Sequence, residues 1–371
     1  MNRIWIFLMA ATILGSSLTL LPAPAFAAKI DCGSTITTST TLKADIGPCS
    51  GDGLYVGASG ISLNCAGHTI SSNTGSGSGI SLDGVSGVAV KNCVVTGFDY
   101  GFALVTSSSN KLTRNTAELN DFGFYLNGSS GITFTGDTAS NNGLTGIVLG
   151  SSPSNTFKGN TVSGNHFDGF RLDFSDSNTF TKNTANDNGY QGLDIVNSSS
   201  NTITSNTGSG NGQYGFFLVG SSGNTLANNV ARDNGNQGFL LYSISDNNKL
   251  TNNTGSGNGQ YGFVLYGSSG NKLTSNTANG NIYYGFVLYS ASNNNKLSKN
   301  RANGNDMGFF VELALKNKLT SNTADSNVEY GYFDLTTGSG TAGTANGYSL
   351  DECSSNLVGG SSPTGLCAPQ P

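Results

Sequence analysis

The chain of 371 residues carries 17 Lys+Arg against 22 Asp+Glu, a formal net charge of -5, and only 11% of it is charged. An ordinary globular domain has roughly 25%. So low a charge content argues against a charge-rich coiled coil and, on composition, against a basic nucleic-acid surface. The 53 Gly without a Gly-X-Y period exclude collagen, and 20 Phe with 14 Tyr are too many aromatics for charge-driven disorder.

Met1–Ala27 has one basic residue, Arg3, then an apolar run from Ile4 to Leu14 and a polar break at Gly15-Ser16-Ser17. Ala25-Phe26-Ala27 follows with the small-x-small pattern of a signal-peptidase site. The apolar run is shorter than the ~20 residues a spanning helix needs. Residues 1–27 therefore read as a signal peptide cleaved near Ala27. The mature chain is expected to be secreted or periplasmic, without a membrane span. Export makes Cys32, Cys49, Cys65, Cys93, Cys353 and Cys367 candidates for disulfides. Nearest-neighbour pairing would staple the first turns and the tail, but spacing alone does not select one connectivity. Residues 28–60, irregular and rich in Gly, Ser and Thr, read as an N-terminal cap.

From residue 61 to 335 the chain is a repeat. A Gly followed by an apolar residue recurs from Gly79 through Gly101, Gly123, Gly146 and onward to Gly331, at steps of 22 to 24 residues. In phase with it, Leu112, Phe134, Phe157 and their successors are each followed three residues on by Asn, or once by Asp137. A second Asn always comes five residues later, from Asn120 to Asn327. Each unit thus holds three short segments of period two, none long enough for a helix. One unit cannot bury its apolar face alone, whereas stacked units bury a continuous core. The pattern predicts an all-β parallel solenoid of about 12 turns. Inward positions are one and three after each Gly, as in Phe216/Leu218 and Phe263/Leu265. The Asn residues suit corners, where they bond their own main chain and stack into amide ladders. After Leu335 the period is lost, and 336–371 reads as a C-terminal cap or tail.

Three stretches carry a resemblance: Ile61-Ser62-Leu63-Asn64-Cys65-Ala66-Gly67-His68-Thr69-Ile70, Val88-Ala89-Val90-Lys91-Asn92-Cys93, and the repeated Gly-Phe-x-Leu…Asn-x-Leu-x-x-Asn-Thr. Together they resemble the right-handed parallel β-helix proteins with NosD-type repeats, within the pectin-lyase-like superfamily. The resemblance spans about Cys32–Leu335 and implies the fold. The β-helix lyases and epimerases it includes imply a polysaccharide as partner. The chain lacks the Gly-His-Gly and Arg-Ile-Lys signatures of polygalacturonases and the Asp-Pro-His motif of mannuronan epimerases. The NosD name suggests copper, but Met307, His68 and His166 are far apart along the stack, and the cysteines are expected to be oxidised.

A uniform solenoid carries chemistry where the repeat is broken. The densest break gathers His166, Asp168, Arg171, Asp173, Tyr190 and Asp194, with Asp176 in the same stretch. Stacking puts Arg171 beside Asp194 on the outer face. His166 or Arg171 would then abstract a proton α to a uronate carboxylate, and Tyr190 would protonate the leaving oxygen. Asp168, Asp173 and Asp194 also offer hard oxygens to Ca²⁺; without ligand or substrate, the same residues form an ion-pair patch. Further along, Tyr242, Tyr266 and Tyr289 stand at one outward position in three successive turns, with Phe217 in the neighbouring row. Flat rings with hydroxyl tips suit sugar stacking. Two functions follow. One is an exported β-helix that binds, and as a lyase or epimerase transforms, an envelope or extracellular polysaccharide. The other is a non-catalytic surface protein whose stripe meets another protein or another copy of itself.

Overall fold

In this computed structural model residues 29–368 are described; the expected signal peptide lies outside them. Each repeat folds into three short strands separated by sharp corners, and every strand pairs in parallel with its counterpart one repeat later. The first sheet has 15 strands, from Ser34–Ile36 to Gly359–Ser362, and the second has 14, from Thr40–Thr41 to Gly347–Ser349. The third begins as 7 strands, from Ile46–Cys49 to Thr184–Asn186. It then continues through bridges at Thr207, Thr277 and Arg301 and the pairs Val230–Arg232 with Thr254–Ser256 and Thr323–Asp325 with Glu352–Ser354. Described residues Asp31–Ala368 thus form one right-handed solenoid of about 13 turns, as the repeat predicts.

The register follows the glycines. Phe216, Phe239, Phe263 and Phe286 align across successive turns, and their rings stack with centroids 4.6–4.9 Å apart. That spacing equals the distance between neighbouring strands, so one aromatic per turn forms a continuous stack. Glycine opens the strand because the turns approach most closely there. A Cβ on Gly215 would lie 2.6 Å from the Ala231 Cβ and 2.8 Å from the Gly208 and Gly238 carbonyl oxygens.

The corner asparagines are buried and solve the problem of main-chain groups that the bends strip of ladder partners. Asn211 Nδ2 donates to Asn234 Oδ1 at 3.0 Å and to the Ala185 carbonyl at 3.0 Å. A parallel ladder runs from Asn160 to Asn322 and ends on Asp351, with Asn322 Nδ2 donating to Asp351 Oδ1 at 2.9 Å. These residues are scaffold.

Segments 28–60 and 336–371 both add strands to the stack. Residues 28–60 supply Ser34–Ile36, Thr40–Thr41, Ile46–Cys49 and Leu54–Val56; 336–371 supplies Gly347–Ser349, Glu352–Ser354 and Gly359–Ser362. Their periodicity is hidden because other devices hold their corners. Disulfides Cys32–Cys49 and Cys65–Cys93 brace the first turns, and Cys353–Cys367 braces the last. The final turn is also lengthened, with 29 residues between Asn317 and its ladder partner Asn346. Asp334 holds that insertion by accepting the Tyr348 hydroxyl at 2.8 Å.

Candidate functional site

The outer face of the first sheet carries three rows along the solenoid axis. The central row runs Val148, Arg171, Asp194, Phe217, Leu240, Val264, Val287, Phe310. Beside it runs Gly150, Asp173, Val196, Val219, Tyr242, Tyr266, Tyr289, Glu312. Asp168, Gln191, Tyr214, Gln237, Tyr261 and Tyr284, each just before a glycine, form the opposite border. The charged break and the aromatic stripe singled out in the sequence are therefore consecutive segments of a single surface.

Arg171 organises the charged segment. Its Nε and Nη2 donate to Asp173 at 2.8 and 3.2 Å, and Nη1 donates to Asp194 Oδ2 at 3.1 Å, with Asp168 Oδ2 at 3.8 Å. The Asp168 and Asp194 side chains are only 7% and 6% exposed, so this is not the solvated ion-pair patch that an outward row leads one to expect. Burial, reinforced by neighbouring Asp168, pushes the Asp194 carboxyl up to about 7 against the pull of Arg171. Burial also raises Asp168, although the Gln191 N–H and Arg171 both favour its charged form. Asp194 Oδ1 is buried and has no hydrogen-bond partner. Two buried carboxyls side by side do not both ionise cheaply, and Asp194 is the one pushed furthest toward its protonated form.

His166 and Tyr190 are not part of this network. His166 is exposed at the corner with its ring edge-on to Phe167 at 5.1 Å, and Tyr190 stacks on Phe167 at 5.0 Å. Asp176 is a corner residue that accepts the Ser199 N–H at 2.6 Å. The carboxylate partners of Arg171 hold it in its protonated form, which has no lone pair for a base role, and they already meet the charge it would offer a uronate. The oxygens offered to Ca²⁺ face that same guanidinium, and among the described residues no three His, Cys, Asp or Glu groups are placed to hold a metal ion. His68, in the lead-in, pairs with Asp45 at 3.1 Å.

The aromatic segment forms a groove of about 440 Å³. Tyr242, Tyr266 and Tyr289 line one wall with ring centroids 5.1 and 5.3 Å apart, and Tyr261 and Tyr284 line the other. Leu240, Val264 and Val287 form the floor; they point outward yet are buried beneath the two walls. Phe217 and Tyr214 continue the groove toward Asp194, and Glu312 closes the far end. Strict alternation assigns the residue before each glycine to the inner face, so the second wall escapes a sequence reading. Its signal is the recurrence of Tyr at that position: Tyr100, Tyr214, Tyr261, Tyr284, Tyr330.

Two family models match. One, described as periplasmic copper-binding protein NosD, covers residues 61–237; the other, right-handed beta helix region, covers 196–353. Together with the parallel sheets they define a right-handed parallel β-helix repeat protein. Over residues 61–237 the chain is similar to the NosD family, and over 196–353 to the general right-handed β-helix model. Among solved structures it is similar to the A-module of the Azotobacter vinelandii mannuronan C-5 epimerase AlgE4, at 15% identity over 90% of this chain and 89% of that one, TM-score 0.52. It is also similar to a variant of the periplasmic alginate epimerase AlgG, at 16% identity over 75% and 73%, TM-score 0.50. Tailspike protein 3 of bacteriophage CBA120 aligns at 14% identity over 78% of this chain and 51% of that one, TM-score 0.52. At such identities these likenesses describe the fold. No curated protein matches the sequence.

The copper in the family description does not fit the residues present. All six cysteines are in disulfides, Met307 is buried, and His68 and His166 stand on different turns without a second soft donor. The three disulfides suit an oxidising compartment outside the cytoplasm, and no helix among the described residues is long and apolar enough to cross a membrane.

Proposed function

We propose that this is a periplasmic or secreted protein that binds an extended polysaccharide along the outer face of its first sheet. An uncharged stretch of the glycan lies in the tyrosine-walled groove. The observation that carries this reading is the groove itself: two tyrosine walls over an aliphatic floor, continuous with a buried carboxylate pair. Tyrosine rings cover the apolar faces of sugars while their hydroxyls reach the equatorial groups. The face bears Asp168, Asp173, Asp194 and Glu312 against Arg171 alone, a balance that favours a neutral chain over a polyuronate. That a mannuronan epimerase and an alginate epimerase are built on this fold is consistent with gripping a polymer lengthwise. Asp194 is the group with a proton to give near neutral pH, so any acid–base step on the bound chain is assigned to it, with Asp168 beside it.

Binding of a panel of neutral polysaccharides to the wild type and to Tyr266→Ala tests the proposal. Removing the central ring is expected to weaken binding roughly five- to tenfold, the share of one stacked aromatic. Absence of glycan binding, together with concentration-dependent self-association lost in Tyr266→Ala, would instead assign the groove to protein contacts.

A further inference from the structure

The second sheet carries a charged feature that the aromatic face does not explain. Lys249, Lys272, Lys296 and Lys318 open the strands Lys249–Thr251, Lys272–Thr274, Lys296–Ser298 and Lys318–Thr320, and each lies directly beside the next. All four are exposed, while Leu250, Leu273, Leu297 and Leu319 between them and the hydroxyl residues point into the core. Beside the lysines, on the same outer face, runs a hydroxyl row: Thr251, Thr274, Ser298, Thr320.

Four ammonium groups at the ~4.8 Å spacing of neighbouring strands repel one another, and directly opposed like charges destabilise a sheet. None of the four makes an ion pair with a described carboxylate. Exposed Lys299 and Lys316 at the adjoining corners add further positive charge. The row sits in mid-sheet, bounded by Thr225 and Gly347, so it does not serve to protect an open edge. A chain with only 17 Lys+Arg has placed four of them in one line. Composition argues against a basic patch, but lysines 22 to 24 residues apart become neighbours once the solenoid stacks them.

We infer that this row is a second binding site, for an acidic polysaccharide lying along the solenoid axis. A polyuronate presents one carboxylate per sugar, a repeat commensurate with one lysine per turn, and the hydroxyl row can bond its ring oxygens and hydroxyls. A single-stranded nucleic acid fits less well, because its bases need aromatic platforms and the outward row beside the lysines carries only Thr and Ser. The site is independent of the tyrosine groove, and the two faces take polymers of opposite character.

Polygalacturonate is the probe, titrated against the full protein at low and rising ionic strength. The wild type is expected to bind with log affinity falling linearly in log salt, with a slope of roughly −3 for four neutralised charges. Lys272→Gln with Lys296→Gln should weaken binding roughly tenfold and halve the slope, Lys272→Arg with Lys296→Arg should restore it, and Tyr266→Ala should leave it unchanged. These exposed substitutions do not threaten folding. Equal binding by the wild type and the Gln variant, binding indifferent to salt, or no binding at low salt would overturn the inference. So would tighter binding of an oligothymidylate of equal charge. Each of these results leaves the tyrosine-groove reading standing, since that reading is probed with neutral glycans.

Discussion

Asp137 and Asp194 show how a solenoid treats an ionisable residue in a slot designed for a neutral one. Asp137 occupies an asparagine position in the buried ladder, accepts from the Asn115 N–H and side-chain amide, and is pushed by burial up to about 7. Asp351 ends the same ladder and is raised by burial to about 6. An unfolded carboxyl titrates near 3.9, so between about pH 4 and pH 7 the folded protein holds protons that the unfolded chain has released. Stability therefore falls as pH rises through that window and levels off above it. Asp137→Asn keeps the shape and supplies the missing amide. It should match the wild type near pH 4 and exceed it by about 1–3 kcal/mol at pH 8, measured by urea denaturation. A variant no more stable than wild type at pH 8 would mean that the slot tolerates the charge.

The repeating turn explains how much of this architecture can be read in the sequence. The glycine and asparagine columns are legible because each answers a contact that recurs in every turn: close approach of backbones for Gly, orphaned corner main chain for Asn. The inward Phe/Leu positions follow from alternation, as does the Arg171–Asp194 adjacency. What alternation misses is the wall formed by Tyr214, Tyr261 and Tyr284, because the residue before each glycine lies outward against the period. It also misses the separation of His166 and Tyr190 from the carboxylates, since proximity in sequence there reflects a corner rather than a shared face. The Lys249–Lys318 row is invisible locally and appears only with register. The glycine column makes its own prediction. Gly215→Ala drives a Cβ into two backbone oxygens and should cost at least about 1–3 kcal/mol, whereas Gly159→Asn, at an open corner, should change stability little. Thermal melts of the two variants compare them directly, and similar losses in both would show that corner conformation rather than turn-to-turn approach selects the glycines.

At the scale of the whole molecule, stacking distributes stability along an axis and leaves the two ends as the vulnerable points. Among the described residues, the first strand Ser34–Ile36 and the last, Gly359–Ser362, each have one edge without a partner strand, and such edges can template association. The disulfides sit at these ends rather than in the uniform middle. Cys353–Cys367 closes 14 residues, which on the loop-entropy account contributes about 3 kcal/mol. Cys353→Ser with Cys367→Ser should loosen the last turn and promote association, visible as a concentration-dependent shift in sedimentation, while the middle turns keep their amide protection. Uniform loss of protection along the rod would show that the end turns are needed for the whole fold rather than for its edge alone.

The same axis gives the protein its two long faces, and the central claim is that the tyrosine face is a track for a polymer. Trp5 is the sole tryptophan and lies in the expected signal peptide, so fluorescence of the mature chain reports tyrosine. The most direct measurement titrates a neutral oligosaccharide series of increasing length against the mature protein and follows tyrosine quenching. Affinity is predicted to rise with length until the ligand spans Phe217 to Tyr289, and the rise should flatten in Tyr266→Ala. Quenching that is independent of ligand length, or equal in the two proteins, would contradict the account.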